Sequence, residues 1–320
     1  MESKSIGKKV LKGLTQQKAV LAIIVLFVFM AFANPIFYSA YNMMDMLKST
    51  SVLAIIGFGV TIVVICGGVD LSVGGIMMLS GIITIKCMNI MPLPLCILLG
   101  LLSGVVVGLI NGFLTVKQKT EPFIVTLGMG LVLTGVCQEL TDAHPVAGTD
   151  KAFEGFGSAK VGGMPSLVIA MFLVLLVTFY ILRFTQFGRN CYAIGGDYDV
   201  AVYSGINAVR IKWSTYVISG LTAAIGGILL SARLNTASST YGETTALLVC
   251  CGVVVGGTSF SGGVGGVIQT AIGIFLFSAL ESAMAMLNIN IFVQLLVRGI
   301  AIVVVIGLDC YARKRKSEDV

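Results

Sequence analysis

The sequence predicts an all-α fold: a polytopic integral membrane bundle of about ten transmembrane helices, with a glycine-interrupted helix in each half. Three observations predict it. Apolar residues make up 57% of the 320 and charged residues only 11%. The apolar residues fall in uncharged blocks: Ala19 to Ala33, Val52 to Val69, Met88 to Val116, Leu167 to Leu182 and Trp213 to Ala232. A span needs roughly 20 mostly apolar residues, because lipid offers no partner to a free backbone N–H or C=O. Finally, most of the 21 lysines and arginines lie in segments that share one side: Lys4 to Lys18, Lys117 and Lys119, Arg183 to Lys212, and Arg313 to Lys316. The positive-inside rule makes that side the cytoplasm, with both termini there and an even number of crossings.

Helix one covers about Ala19 to Ala33. Its flank, Asn34-Pro35-Ile36-Phe37, lacks a small-residue cleavage site, so it reads as a retained helix and not as a signal peptide. Asn34 to Lys48 carries Pro35 and several aromatics and reads as an exterior connector in the interface. Helix two runs from about Ser49 to Cys66, and helix three follows the break at Gly67-Gly68 and returns outward to about Ile90. Pro92 and Pro94 mark the next turn. Helix four reaches the basic loop Lys117 to Glu121, and Pro122 opens helix five at a first-turn position that suits proline. An exterior loop follows from Thr141 to Pro165. Helix six ends at Arg183, and a long cytoplasmic loop extends to about Lys212. Helix seven, a short Gly-interrupted segment near Ala246 to Gly257, and two last helices complete one transmembrane domain, 1–320, with cytoplasmic tails 1–18 and 311–320.

The chain holds 39 glycines. Gly100, Gly104, Gly108 and Gly112 recur every four residues and share one helix face, which permits close backbone approach between helices. Two segments echo each other: VVICGGVDLSVGG, ending at Gly75, and VVVGGTSFSGGVGG, ending at Gly266. Gly-interrupted helices in corresponding halves point to a binding region near the midplane, where broken ends expose backbone dipoles.

Asp70 is the only charge between Lys48 and Lys86. An ionisable group among spans is costly and faces a cavity or a partner. It reads either as a polar lining element at the helix break, beside Gly68 and Ser72, or as an N-cap, with Asp70 or Ser72 holding the free N–H groups of helix three. Asn111, Thr126 and Asn235 join Asp70 and Ser72 as the polar groups expected to face the path or its helix breaks. Glu281 and Arg298 are placed to pair across the last hairpin. The eight cysteines match no zinc spacing and no disulfide framework, and Cys250-Cys251 read as small packing residues. One histidine, His144, cannot build a relay. No nucleophile elbow, zinc-protease helix or P-loop occurs, so no catalytic site, metal or cofactor is expected. The net charge of +6 lacks the aromatic-basic stripe of a nucleic-acid binder.

The segment around Asp197 is too long and too organised for a simple hairpin. Asp197 caps a short helix running to Ser204, and Gly205 ends it. Val200, Ala201 and Tyr203 give it a partly apolar face toward the cytosol. That face asks for a partner, the other reading being a loop packed on its own bundle.

Four ordered motifs now carry a resemblance: GGVDLSVGG, then INGFLTVKQKTEPFIVTLGM (Ile110 to Met129), then FGRNCYAIGGDYDVAVYSGIN (Phe187 to Asn207), then VVVGGTSFSGGVGG. Together they resemble the membrane permeases of bacterial ABC importers for monosaccharides, of the ribose and galactose/methylgalactoside type, over nearly the whole chain. The resemblance implies a translocation subunit in the bacterial cytoplasmic membrane that pairs with a second permease chain. A separate cytoplasmic ABC ATPase would hydrolyse ATP, and an extracytoplasmic sugar-binding protein would deliver the solute. The family's ATPase-contact loop falls on Gly195 to Asn207, including Gly196, and its Gly-Asp-Leu-Ser element on Gly68, Asp70, Leu71 and Ser72. Two departures stand out. The family's acidic stretch before the second Gly-Gly is replaced by Ala246 to Cys251, with Glu243 displaced, and Asp197 and Val200-Ala201 stand where the family tends to have Asn and Ala-Ala. The alternatives are an ion- or proton-coupled carrier working alone, which usually carries several acids or histidines in its spans, and a scaffold or receptor without transport.

Overall fold

In a computed structural model of the protein, residues 18–318 are described, and the rest of the expected cytoplasmic tails lies outside them. Thirteen helices follow in order. α1 (Lys18–Ala33) leads through a 3-10 turn (Pro35–Tyr38) into α2 (Ala40–Ile65), then α3 (Val73–Cys87) and α4 (Leu93–Gly112), which runs on through a π turn (Phe113–Lys117). α5 (Pro122–Thr141), α6 (Lys151–Ser158), α7 (Ser166–Phe184), α8 (Gln186–Gly196), α9 (Tyr198–Tyr203) and α10 (Ala208–Leu234) come next. α11 (Thr245–Gly256), α12 (Val267–Met286) and α13 (Ile291–Glu318) close the chain. Two antiparallel strand pairs are minor: Val146–Ala147 with Thr236–Ala237, and Lys160–Val161 with Met164–Pro165.

Six helices are long and apolar enough to cross a membrane, and four shorter apolar ones accompany them among the described residues. This is a polytopic all-α membrane protein. α2 is its centre. Every residue from Ala54 to Cys66 is buried, as a helix that is apolar all round must be. Gly57 brings α12 close at Ile274 and Thr270, and Gly59 brings α10 close at Ser219 and Thr222. The Thr61 and Thr270 hydroxyls share a hydrogen bond of 2.5 Å across the first contact. The four-residue glycine repeat of α4 lies against α10 and α3: Gly104 opposes Gly220, Gly108 opposes Tyr216, and Gly100 opposes Thr84.

A side chain at Gly104 would enter this seam, since its Cβ would stand 2.7 Å from the Ala224 Cβ. Gly104→Val is therefore expected to destabilise the chain by about 1–3 kcal/mol or more. Gly128→Val, where an added Cβ meets nothing within 4 Å, should change little. Melting of the detergent-extracted protein measures both, and equal melting temperatures would refute the packing account.

Three stretches differ from expectation. The exterior connector Asn34 to Lys48 is mostly helix, because Ser39 accepts a cap hydrogen bond from Asn42 N–H and starts α2 early. Its polar residues find distant partners: Asn42 donates to Phe37 O and accepts from Ser282, and Asp45 pairs with Arg233. The loop 141–165 contains α6, capped by Asp150. Helix three ends at Cys87, short of Ile90. Across the last hairpin, Glu281 and Arg298 do pair, at 3.0 Å.

Candidate functional site

The two echoing segments adopt the same backbone ending. After α2, Gly67 takes φ +74, and Gly67 N–H and Gly68 N–H donate to Val64 O and Val63 O. After α11, Gly257 takes φ +114, and Gly257 N–H and Thr258 N–H donate to Val254 O and Val253 O. Both are Schellman endings, which need a left-handed residue and so favour glycine. One helix beside each break is short, whereas α2 has 26 residues and α12 has 20. α3 has 15 residues and α11 has 12, which at about 1.5 Å per residue falls short of a hydrocarbon core of about 30 Å.

Between Gly67 and α3 the chain is not helical, and Asp70 is held there with no solvent exposure. Its Oδ1 accepts from Ser72 N–H at 3.0 Å and from Ser72 Oγ–H at 2.6 Å, and its Oδ2 accepts from Ser219 Oγ–H of α10 at 2.7 Å. Asn111 of α4 donates from Nδ2 to Ser72 Oγ at 2.8 Å, while its buried Oδ1 has no protein partner. No lysine or arginine pairs with Asp70 among the described residues. The cap reading is corrected accordingly. Ser72 stands at the N-cap of α3 but makes no side-chain cap bond. Asp70 instead closes an Asx turn on Ser72 and pins the break to α10, with α4 attached through Asn111. Sequence reasoning missed Ser219, because a lone hydroxyl in an apolar helix gives no signal of a partner 149 residues away.

The starts of the two short helices meet. Gly74 in the first turn of α3 packs on the backbone of Gly242, which precedes α11, and an added Cβ at Gly242 would stand 2.8 Å from Met78 Cγ. Neither helix has a side-chain cap, and the first N–H of α11, on Thr245, donates to Gly242 O at 3.2 Å. Ala246 to Cys251 form the first half of α11, buried except for Leu247, and Glu243 is exposed just before it.

Thr126 and Asn235 make no hydrogen bond to this cluster. Thr126 is buried in α5 and spends its hydroxyl on Pro122 O, one turn back. Asn235 is the left-handed C-cap of α10, with φ +49, and its carbonyl accepts from Gly148 N–H at 2.9 Å. Its place is a helix end beside the small strand pair.

The long loop after α7 is two helices. α8, capped by Thr185, was not expected, whereas α9 falls within the expected short helix. Asp197 accepts from Val200 N–H at 3.0 Å, and Gly205, with φ +83, closes α9 through donations from Gly205 N–H to Val202 O and Ile206 N–H to Ala201 O. Asn207 then caps α10. Of the three face residues, Tyr203 is 89% exposed and Val200 59%, but Ala201 is 3% exposed. Ala201 therefore faces the bundle and leaves the outward face to Val200, Val202 and Tyr203, with Tyr198 partly covered by Lys212.

The model of one family, described as branched-chain amino acid transport system / permease component, matches residues 42–306. The chain is 35% identical to the ribose import permease protein of Haemophilus influenzae over 99% of both chains. It is 37% identical to the ribose import permease protein of Bacillus subtilis over 90% of this chain and 91% of that one. The galactose/methyl galactoside import permease protein of Escherichia coli is 31% identical over 92% and 94%. No solved structure matches the chain. Broken helices that meet inside a membrane bundle, and a similarity that runs from end to end, lead to one conclusion: the chain belongs to the family of branched-chain amino acid transport system permease components.

Proposed function

We propose that this chain is the translocation subunit of an ATP-binding-cassette importer that moves a monosaccharide such as ribose or galactose inward across the bacterial cytoplasmic membrane. The observation that carries the reading is end-to-end similarity to ribose import permeases. The geometry supports it. The groups at the first break include hydroxyls and an amide, which guide a neutral polyol without trapping it. The scarcity of buried acids argues against a carrier driven by ions alone, since Asp70 already accepts three donors. α9 offers an exposed apolar face outside the spans, as a docking element for a separate ATPase requires. ATP hydrolysis then resides in that subunit, a sugar-binding protein docks on the far side, and a second permease chain completes the pore. Positive charge near α1, α4, α7 and α10 supports a cytoplasmic side for both termini and for α9.

Reconstitution tests this. Proteoliposomes holding the chain, its ATPase and its binding protein should take up ribose or galactose only with internal ATP. Uptake that persists without ATP and collapses with an ion gradient would overturn the reading. The mass of the purified complex gives the number of permease chains.

A further inference from the structure

Gly195, next to last in α8, is where three segments of the chain meet. A Cβ there would collide with Ile65 O, at the end of α2, and stand 2.5 Å from Gly263 N in the second break. Gly263 N–H itself donates to Ile65 O at 2.9 Å, so the two breaks are hydrogen-bonded to each other beside Gly195. Gly262 is as close, since its Cβ would stand 2.7 Å from Gly195 O. One turn earlier, the Tyr192 hydroxyl donates to Gly265 O at 2.8 Å. Burial pushes the Tyr192 phenol up, which keeps that proton in place. Buried Cys191 lies against Cys66, the C-cap of α2. Gly196 is different: an added Cβ there would meet nothing within 4 Å.

We propose that Gly195 is the positioning residue that fastens α8, and with it α9, to both helix breaks, so that the three move as one body. The inference rests on the reading of α9 as the ATPase contact. A displacement imposed on α9 then reaches the segment leading to Asp70 and the loop leading to α12 together. Contact of backbone on backbone leaves no slack, because packed interiors are stiff and transmit strain. A side chain at position 195 would wedge α8 away from both breaks and leave α9 untouched.

The test uses the complete complex in proteoliposomes, with ribose as the probe, or galactose where ribose is not carried. The readout is sugar moved per ATP hydrolysed, beside recovery of the ATPase with the permease. Gly195→Ala should retain the ATPase yet fall at least tenfold in this ratio, and Gly135→Ala in α5, where an added Cβ meets nothing within 4 Å, should match the wild type. Tyr192→Phe should lower the ratio severalfold at an unchanged melting temperature, a loss that a purely structural role would not cause. If Gly195→Ala does not accumulate, Tyr192→Phe decides: a lowered ratio supports the clamp, and a wild-type ratio overturns it. An unchanged ratio in Gly195→Ala, or an equal loss in Gly135→Ala, also overturns it. A wild-type chain that holds no ATPase overturns the transport reading and this inference with it. Retention with unaffected variants overturns this inference alone.

Discussion

Asp70→Leu should yield little folded protein and no uptake, while Asp70→Asn should keep the assembled chain and most of its transport. The carboxylate accepts from Ser72 N–H, Ser72 Oγ–H and Ser219 Oγ–H with no exposure to solvent. Leucine leaves three buried donors to find other acceptors, and each that fails costs about 1–3 kcal/mol. Part of this is recovered, since a helix hydroxyl can turn to a carbonyl of its own helix. A net loss of about 2–5 kcal/mol remains, large against the 5–15 kcal/mol of a typical native state. Asparagine keeps the acceptor for Ser72, and Ser219 can turn its hydroxyl to accept from the amide. Size-exclusion profiles and melting of extracted protein report the fold, and sugar uptake reports the path. An Asp70→Leu chain as stable and active as the wild type would remove Asp70 from both roles. An Asp70→Asn chain that folds but transports tenfold less would show that the charge itself serves the path.

The bundle was legible because lipid imposes a strict rule on the backbone, so hydropathy alone marks the spans. The breaks were legible for a similar reason. Gly67 and Gly257 are needed for left-handed backbone, and their setting in Val runs shows in the letters. The partners of the polar groups were not. Asp70 was visible as an isolated charge, but Ser219 looks like any helical serine, and only the packing of α10 on α2 brings it in. The polar start of α2 hid for the same reason, since Asp45 and Asn42 are accommodated by Arg233 and Ser282 from far along the chain. α8 left a fainter local trace that could have been read: Thr185 as cap, then Phe187, Cys191 and Ile194 at helical spacing. The inward turn of Ala201 was misjudged because six residues of helix are too few for periodicity to choose a face.

That misjudged face gives a sharp test of the coupling helix, because neighbouring residues should fail in different ways. Val200→Glu alters a side chain that is 59% exposed, so the chain should insert, fold and melt as the wild type does. It should lose the ATPase, because docking would bury an unpaired carboxylate in a close-packed interface at a cost of about 3 kcal/mol or more, a hundredfold or more in affinity. Tyr203→Ala should weaken the same contact by removing its largest exposed side chain, in the manner of an aromatic anchor. Ala201→Glu is another matter. Its side chain is 3% exposed within the protein's own core, so a carboxylate there has neither water nor a partner and should disrupt the junction of α8, α9 and α10 before any ATPase is met. Co-purification of the ATPase and melting of the permease separate the two outcomes. Val200→Glu and Tyr203→Ala should change the first and spare the second, and Ala201→Glu should change both. If Val200→Glu and Tyr203→Ala both retain the ATPase at wild-type levels, the outward face of α9 is not where it docks.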